Sequence, residues 1–286
     1  MDVAYYPGCS AHKIAREYDQ SARLVCRQLD LNLHEIDDWN CCGASAAHSF
    51  NRLLAASLGA RNLALASQMN TGWVTSPCPA CFAALKTASL ELKENKELRG
   101  AFAAGGTRSH EIKVTHLLQL LTEEIGLDII ASGVKHRLSG LKLAAYYGCL
   151  TRPARIIEFD DPEQPVSLDL LLEGLGAQTV IWSHKAECCG GALAQARTDI
   201  VLDLCGEILE AARQAGASAI VAACPLCQIN LDTRQQDILT SNGTKYNLPV
   251  IYFTQLMGLA FGFSPRAMGF NRLLTDPFPL LQTLDL

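Results

Sequence analysis

What most constrains this chain is an internal duplication written in cysteine. YYPGC at residues 5–9 is answered by YYGC at 146–149, NCCGA at 40–44 by ECCGG at 187–191, and SPCPAC at 76–81 by AACPLC at 222–227. Cys149 follows Cys9 by 140 residues, Cys188 follows Cys41 by 147 and Cys224 follows Cys78 by 146, so order is kept and spacing nearly so. Ten of the twelve cysteines fall inside the repeat. The chain therefore reads as two homologous halves, residues 1–138 and 139–286, each of ordinary domain size. They meet in the polar, glycine-containing stretch 131–140.

Local patterns repeat with the cysteines. Each half opens with a β-prone run ending near its first cysteine, residues 3–6 and 141–147, and each CxxC is preceded by another, residues 73–75 and 219–222. Between them Ile14, Tyr18, Ala22, Val25, Cys26 and Leu29 recur at helical spacing, as do Leu193, Ala196, Ile200, Leu204 and Ile208. Strands alternating with helices predict an α/β fold, with a small parallel-type sheet flanked by helices in each half and a pseudo-two-fold duplication relating the halves. In such sheets ligands gather beyond the carboxyl ends of strands, where Cys9, Cys78, Cys149 and Cys224 are predicted to sit.

Each half carries five cysteines: Cys9, Cys41, Cys42, Cys78 and Cys81 in the first, Cys149, Cys188, Cys189, Cys224 and Cys227 in the second. In each CxxC the first cysteine is placed near a helix N-cap, with Pro79 or Pro225 at the first helical position, where a missing N–H costs nothing. Thiolates there lie near the positive end of a helix, which lowers their pKa. Neighbouring side chains on extended backbone diverge, so an adjacent Cys-Cys pair reaches different irons more easily than one ion. Gly43 or Gly190 behind it permits a tight turn and close approach to inorganic sulfide. A zinc site takes four ligands, and a cubane iron–sulfur cluster four thiolates. Five per half is one too many, leaving the fifth to bridge irons in a distorted cluster or to act as a redox-active neighbour. Structural zinc and disulfides are the alternatives to iron–sulfur binding. Cys26 and Cys205, outside the repeat, read as small buried hydrophobes.

Composition removes other classes. A net charge of −5 and a pI near 5.8 give no basic face for nucleic acid. The longest strongly apolar stretch, residues 251–263, is broken by Thr254 and Gln255 and falls short of the roughly 20 residues that span a bilayer. The opening MDVAYYPGC has neither a basic n-region nor an apolar h-region, so a cytoplasmic location is expected, where cysteine clusters bind metal or do redox chemistry. There is no CxxCxxCxxxCP ferredoxin run and no GxGxxG or P-loop pattern. Electrons are therefore expected to arrive through another polypeptide.

YYPGC, NCCGA, SPCPAC, YYGC, ECCGG and CPLC together resemble the paired CCG domains of the B-type subunit of heterodisulfide reductase and its bacterial relatives, over nearly the whole chain. The resemblance implies an oxidoreductase acting on sulfur groups, with a noncubane [4Fe–4S] cluster in each half, two in all. Cys9, Cys41, Cys42, Cys78 and Cys81 would hold one, and Cys149, Cys188, Cys189, Cys224 and Cys227 the other. It also implies a small disulfide substrate between the clusters, reduced or reversibly formed, a ferredoxin-like [4Fe–4S] partner and, behind that partner, a flavoprotein. GCSAHKIAREYD and WNCCGASAAH look closer to bacterial members, so the coenzyme M/coenzyme B substrate does not carry over automatically. Two other readings stay open. One is a bacterial sulfur-oxidising version acting on persulfides. The other is a non-catalytic electron-transfer subunit like the CCG subunits of lactate, glycolate or glycerol-3-phosphate oxidation systems.

His184 and Lys185 precede the second Cys-Cys pair and His48 follows the first, positions from which they would meet an anionic substrate tail; a solvated surface role is the plainer reading of each. His116, in VTHLLQLL, reads as a packed core histidine on an apolar helix. The Phe-, Leu- and Pro-rich tail, residues 263–286, is expected to dock on the other half or on a partner.

Overall fold

In the computed structural model, which describes residues 1–44, 46–102, 111–153, 155–238, 243 and 245–284, the β-prone runs ahead of the cysteines become the central strands of two parallel sheets. The first half runs β1 (Asp2–Tyr5), α1 (Gly8–Lys13), α2 (Arg16–Gln28), β2 (Asn32–Glu35), α3 (Ala46–Phe50), α4 (Arg52–Gln68), β3 (Trp73–Ser76), α5 (Pro79–Glu94), α6 (Lys96–Phe102) and β4 (Lys113–His116). β4 passes directly into α7 (Leu117–Gln119), π-helical turns (Leu120–Gly126) and α8 (Leu127–Ser132). The second half runs β5 (Lys142–Tyr146), α9 (Ser167–Gly174), β6 (Gln178–Thr179), a 3-10 turn (Gly191–Leu193), α10 (Thr198–Gln214), β7 (Ala219–Ala222), α11 (Pro225–Thr233), β8 (Val250–Tyr252), α12 (Phe253–Ala260) and α13 (Phe278–Leu281).

The strand orders are β2-β1-β3-β4 and β6-β5-β7-β8, with every pair parallel. β7, all four residues buried, is covered on both faces, as parallel sheets require. From β1 the chain steps out to β2, then returns across to β3 and β4. The reversal falls between β1 and β3, and in the second sheet between β5 and β7. A crevice opens beyond the carboxyl ends of strands at such a switch point, and the cysteines that follow those four strands are Cys9, Cys78, Cys149 and Cys224.

Two helical faces differ from the sequence reading. Ile14 lies beyond α1 and is 64% exposed, while the buried stripe of α2 is Tyr18, Ala22, Val25 and Cys26. The buried stripe of α10 is Val201, Cys205, Ile208, Leu209 and Ala212, in place of the expected Leu193, Ala196, Ile200 and Leu204. The helix begins only at Thr198, after the left-handed Gly190 and the 3-10 turn, so its phase is set by where that loop releases the chain.

α2 packs on α12 across the halves. Tyr18 stacks on Tyr252 with ring centroids 4.2 Å apart and planes 6° from parallel, an arrangement that contributes about 0.5–1.5 kcal/mol beyond its buried area. Ser21 Oγ and Thr254 Oγ1 hydrogen-bond at 2.7 Å. The C-terminal tail docks on the first half: Gln20 Nε2 donates to the Ala267 carbonyl at 2.6 Å, Gly269 lies against Glu17, and Phe270, Leu281 and Leu284 join a buried apolar cluster that runs through both halves. Among the described residues no helix is long and apolar enough to cross a membrane.

Candidate metal centres

Each half builds its cysteine site with the same devices. At the end of the first strand a glycine with positive φ, Gly8 at +70° or Gly148 at +56°, turns the chain into the first cysteine. A Cβ on Gly8 would stand 2.8 Å from Cys81 Sγ, and one on Gly148 3.3 Å from Cys227 Sγ, so glycine is needed for conformation and for close approach to sulfur. Three residues before each first cysteine a buried tyrosine ties in the next loop. Tyr6 OH donates to the Asn40 carbonyl at 2.8 Å and Tyr146 OH to the Glu187 carbonyl at 2.7 Å, each the residue just ahead of a Cys-Cys pair. Asn62 on α4 holds Asn40 from the other side, accepting its N–H at 3.0 Å and donating to its carbonyl at 2.9 Å.

The Cys-Cys turns match as well. Gly43 and Gly190 adopt positive φ, +75° and +72°, and donate their N–H to the sulfurs of Cys41 and Cys188 at 3.5 and 3.4 Å. Added side chains would meet Leu58 and Ala47 in the first half, and Leu204 and Val201 in the second. These glycines thus let the turn lie flat on α4 and α10.

Cys78 and Cys224 are the N-cap residues of α5 and α11, each followed by proline in the first turn, as the CxxC spacing predicts. Cys42 Sγ lies 3.4 Å from Cys81 Sγ, and Cys189 Sγ 3.4 Å from Cys227 Sγ. Burial repeats too: Cys42, Cys78 and Cys81 are buried with their counterparts Cys189, Cys224 and Cys227, while Cys9, Cys41 and Cys188 are exposed and Cys149 half-buried. Hydrogen bonds from Cys41 and Cys81 bring the Cys42 thiol down to about 4, and one from Cys227 lowers that of Cys189. Cys78 is held well below the ordinary thiol range by hydrogen bonds from Cys224 and then Cys81. Tyr18 OH of the first half donates to the Ala223 carbonyl, next to Cys224, at 3.3 Å, so the second CxxC loop lies against the first half.

None of the twelve cysteines is in a disulfide. Among the described residues no three His, Cys, Asp or Glu donors gather as they would round a single ion. What the structure brings together is a close sulfur pair in each half, Cys42 with Cys81 and Cys189 with Cys227, and thiol donors of this kind suit a soft metal or an iron–sulfur group. An apolar cavity of about 490 Å³ reaches Cys42, walled by Ala55, Ala84, Pro153 and Ile156 and including Arg52.

The remaining singled-out residues lie elsewhere. His48 falls in α3, its side chain outside the described residues. His184 bonds Ser183 Oγ at 2.7 Å and lines a surface pocket with Trp182, Glu207 and Glu210. The Lys185 side chain, 12% exposed, donates to Asp169 at 2.9 Å and the Pro165 carbonyl at 2.8 Å. Its own carbonyl accepts the N–H groups of Tyr147 and Gly148. Lys185 therefore braces the loop that carries Cys149. Cys26 is buried in α2. Cys205, also buried, points its thiol 3.7 Å from the Cys189 carbonyl, which Asn230 Nδ2 approaches at 3.2 Å. His116 ends β4 and caps α7 in place of lying within a helix, because the helical run begins only at Leu117. The matched Tyr6 and Tyr146 were visible in the repeated motif; Asn62 and Asn230 act over long sequence separations and leave no local signal.

Comparison with known proteins places these features in a wider set. The CCG cysteine-rich domain matches residues 3–86 and again 143–232. A Wolinella succinogenes protein named 8-methylmenaquinol:fumarate reductase membrane anchor subunit is 34% identical over 279 residues, covering 96% of this chain and 97% of that one. A Methanosarcina acetivorans protein named as the B-type subunit of a ferredoxin/F420H2-dependent CoB-CoM heterodisulfide reductase is 29% identical, covering 94% of this chain and 92% of its own length. An Archaeoglobus profundus protein named as similar to the B-type subunit of heterodisulfide reductase is 27% identical over 90% of both chains. The crystal structure of a hypothetical Helicobacter pylori protein has the same fold, with a TM-score of 0.74 at 13% identity, over 96% of this chain and 52% of that longer one.

Proposed function

The chain belongs to the cysteine-rich CCG domain family that includes the B-type subunit of heterodisulfide reductase, and on that premise we propose that it is the iron–sulfur catalytic subunit of a heterodisulfide-reductase-type complex. In this reading residues 1–138 and 139–286 each hold one noncubane [4Fe–4S] cluster, through Cys9, Cys41, Cys42, Cys78 and Cys81 and through Cys149, Cys188, Cys189, Cys224 and Cys227. When bound, the clusters supply one-electron exchange; the protein supplies binding and orientation. The observation that carries the reading is the pair of matched five-cysteine sets, one in each half, with the same three members buried and the same close sulfur pair. Reduction of R–S–S–R′ to two thiols takes two electrons and two protons, and the duplication provides two equivalent thiol sites, one for each sulfur of a substrate held between them. Gly8 and Gly148 keep the inner sulfurs close to backbone, Tyr6 and Tyr146 hold the Cys-Cys turns, and Lys185 with Asp169 fixes the Cys149 loop. The cavity beside Cys42 offers room for an apolar substituent.

The missing ferredoxin and nucleotide motifs support a ferredoxin-like [4Fe–4S] partner and a flavoprotein behind it, working in the cytoplasm. Protein purified without oxygen should contain about eight iron and eight sulfide per chain and turn over a small disulfide with an artificial reductant. Stoichiometric zinc with negligible sulfide would overturn the reading. A second reading, an electron-transfer subunit without substrate of its own, is supported by the 34% identity to a protein named as an anchor subunit of a methylmenaquinol:fumarate reductase. Full iron content without disulfide turnover would favour it.

A further inference from the structure

The two halves match in their cysteines but not in what stands beside the Cys-Cys turns. The cavity of about 490 Å³ that reaches Cys42 is walled on α4 and α5 by Ala55, Ala80, Ala83 and Ala84, and from the second half by Pro153 and Ile156. The loop carrying those last two is tied to α5, with Lys86 Nζ 3.2 Å from Glu158 Oε2. α10 begins 146 residues after α4 and Cys224 follows Cys78 by the same 146, so the residues corresponding to the four alanines are Val201, Leu226, Ile229 and Asn230. Three of these stand in the corresponding places. A Cβ on Gly43 would lie against Ala55, and one on Gly190 against Val201. A Cβ on Gly191 would meet Leu226 Cβ at 3.3 Å and Cys189 Sγ at 3.6 Å, and Asn230 Nδ2 is 3.2 Å from the Cys189 carbonyl. Larger side chains thus flank Cys189 where the first half keeps alanines and room beside Cys42. The charged residues of the cavity lining are Arg52, with its side chain 85% exposed, and Glu91. They neutralise each other at the mouth, where Arg52 Nε donates to Glu91 Oε1 at 3.0 Å. An anion entering here would give up hydration without gaining a free cation, whereas apolar atoms incur no such cost. The volume lies within the range of about 300–1,000 Å³ that holds small-molecule ligands.

We propose that this cavity is a binding site for an uncharged apolar group, selected by Ala55, Ala80, Ala83 and Ala84. Resting on the function proposed above, the substrate sulfur taken by the first site carries that group, an alkyl or aryl chain, and Leu226 and Asn230 direct the group away from the second. The site is tested first on the reduced, metal-free, full-length chain, where no catalysis is needed. Neutral phenylbutanol and anionic phenylbutanoate, alike but for charge, are compared by isothermal titration. The alcohol should bind at least about tenfold more tightly, since the carboxylate would have to lose its hydration beside a cation already paired. Ala83→Ile and Ala55→Val install the residues of the second half, and each should weaken binding of the alcohol about fivefold or more by filling the cavity. Failure of the alcohol to bind, equal affinity for the carboxylate, or wild-type affinity in both variants overturns the proposal; the comparison of the two probes on wild type needs neither variant to fold. In chain loaded with iron and sulfide, two equivalents of reduced methyl viologen supply two electrons, and water two protons, to cleave one disulfide to two thiols. There kcat/KM for dibutyl disulfide should exceed that for dithiodipropionate at least about tenfold, and Ala83→Ile should remove most of the difference. Equal values in wild type overturn the substrate assignment. Binding of the alcohol as expected, with neither disulfide turned over, would defeat the proposed function and leave the cavity assignment standing.

Discussion

Replacing Gly8 by alanine should test the construction of the first site. The backbone there has φ of +70°, which costs a residue with a Cβ about 1 kcal/mol. The new methyl would lie 2.8 Å from Cys81 Sγ, where ordinary contact needs about 3.5–4.0 Å. Cys81 is buried and has Cys42 Sγ at 3.4 Å, so it cannot swing away freely, and overpacking of this kind costs roughly 1–3 kcal/mol. A total of about 2–4 kcal/mol should lower Tm by roughly 3–7 °C in a chain of this size. Gly148→Ala is the internal control: the conformational cost is similar, but its methyl would lie 3.3 Å from Cys227 Sγ, so its loss should be nearer 1–2 kcal/mol by roughly the same reckoning. Urea unfolding of the reduced, metal-free chain reads both as midpoint shifts at unchanged slope. Iron uptake on reconstitution should fall further in Gly8→Ala. The reasoning fails if Gly8→Ala unfolds with wild-type stability, or if Gly148→Ala is the more damaging.

Burial raises the carboxyl of Glu17 above its ordinary value, against the opposing charge of Arg272. A carboxyl with a raised folded-state pKa loses stability for the fold as pH rises from the unfolded value through the folded one. Glu17→Gln should therefore stabilise by up to about 1 kcal/mol at pH 7 and much less at pH 4, and a difference independent of pH would refute this. Tyr6→Phe and Tyr146→Phe each remove one hydrogen bond to a Cys-Cys loop, and each should cost about 1 kcal/mol in denaturant unfolding; the pair of values should agree closely, since the two bonds are nearly equal in length. Cys41→Ser or Cys81→Ser should lose roughly half of the bound iron and sulfide, and Cys26→Ser almost none; a mixed disulfide trapped at Cys81 with iron intact would point to thiol exchange in place of cluster chemistry.

The duplication, the strands that run into Cys9, Cys78, Cys149 and Cys224, the N-cap placement of each CxxC and the turn glycines were legible in the residues alone. All are encoded within a few neighbouring residues: β-prone runs, proline at the first helical position, and glycine where φ is positive. The order of strands came only with the assembled fold: it sets β1 beside β3 and β5 beside β7 and so brings Cys9 and Cys78, 69 residues apart, and Cys149 and Cys224, 75 apart, to a switch point in each half. The assembled fold also decided the phase of α10, which depends on where the loop after Gly190 lets the helix begin, and the partners of Lys185, whose neighbours in sequence gave no hint of Asp169. The contact of Tyr18 with the Ala223 carbonyl, beside Cys224, exists only because the halves pack α2 against α12. Contacts of that kind join residues more than a hundred positions apart, and no pattern of local spacing records them, because burial against a distant surface is a property of the assembled fold.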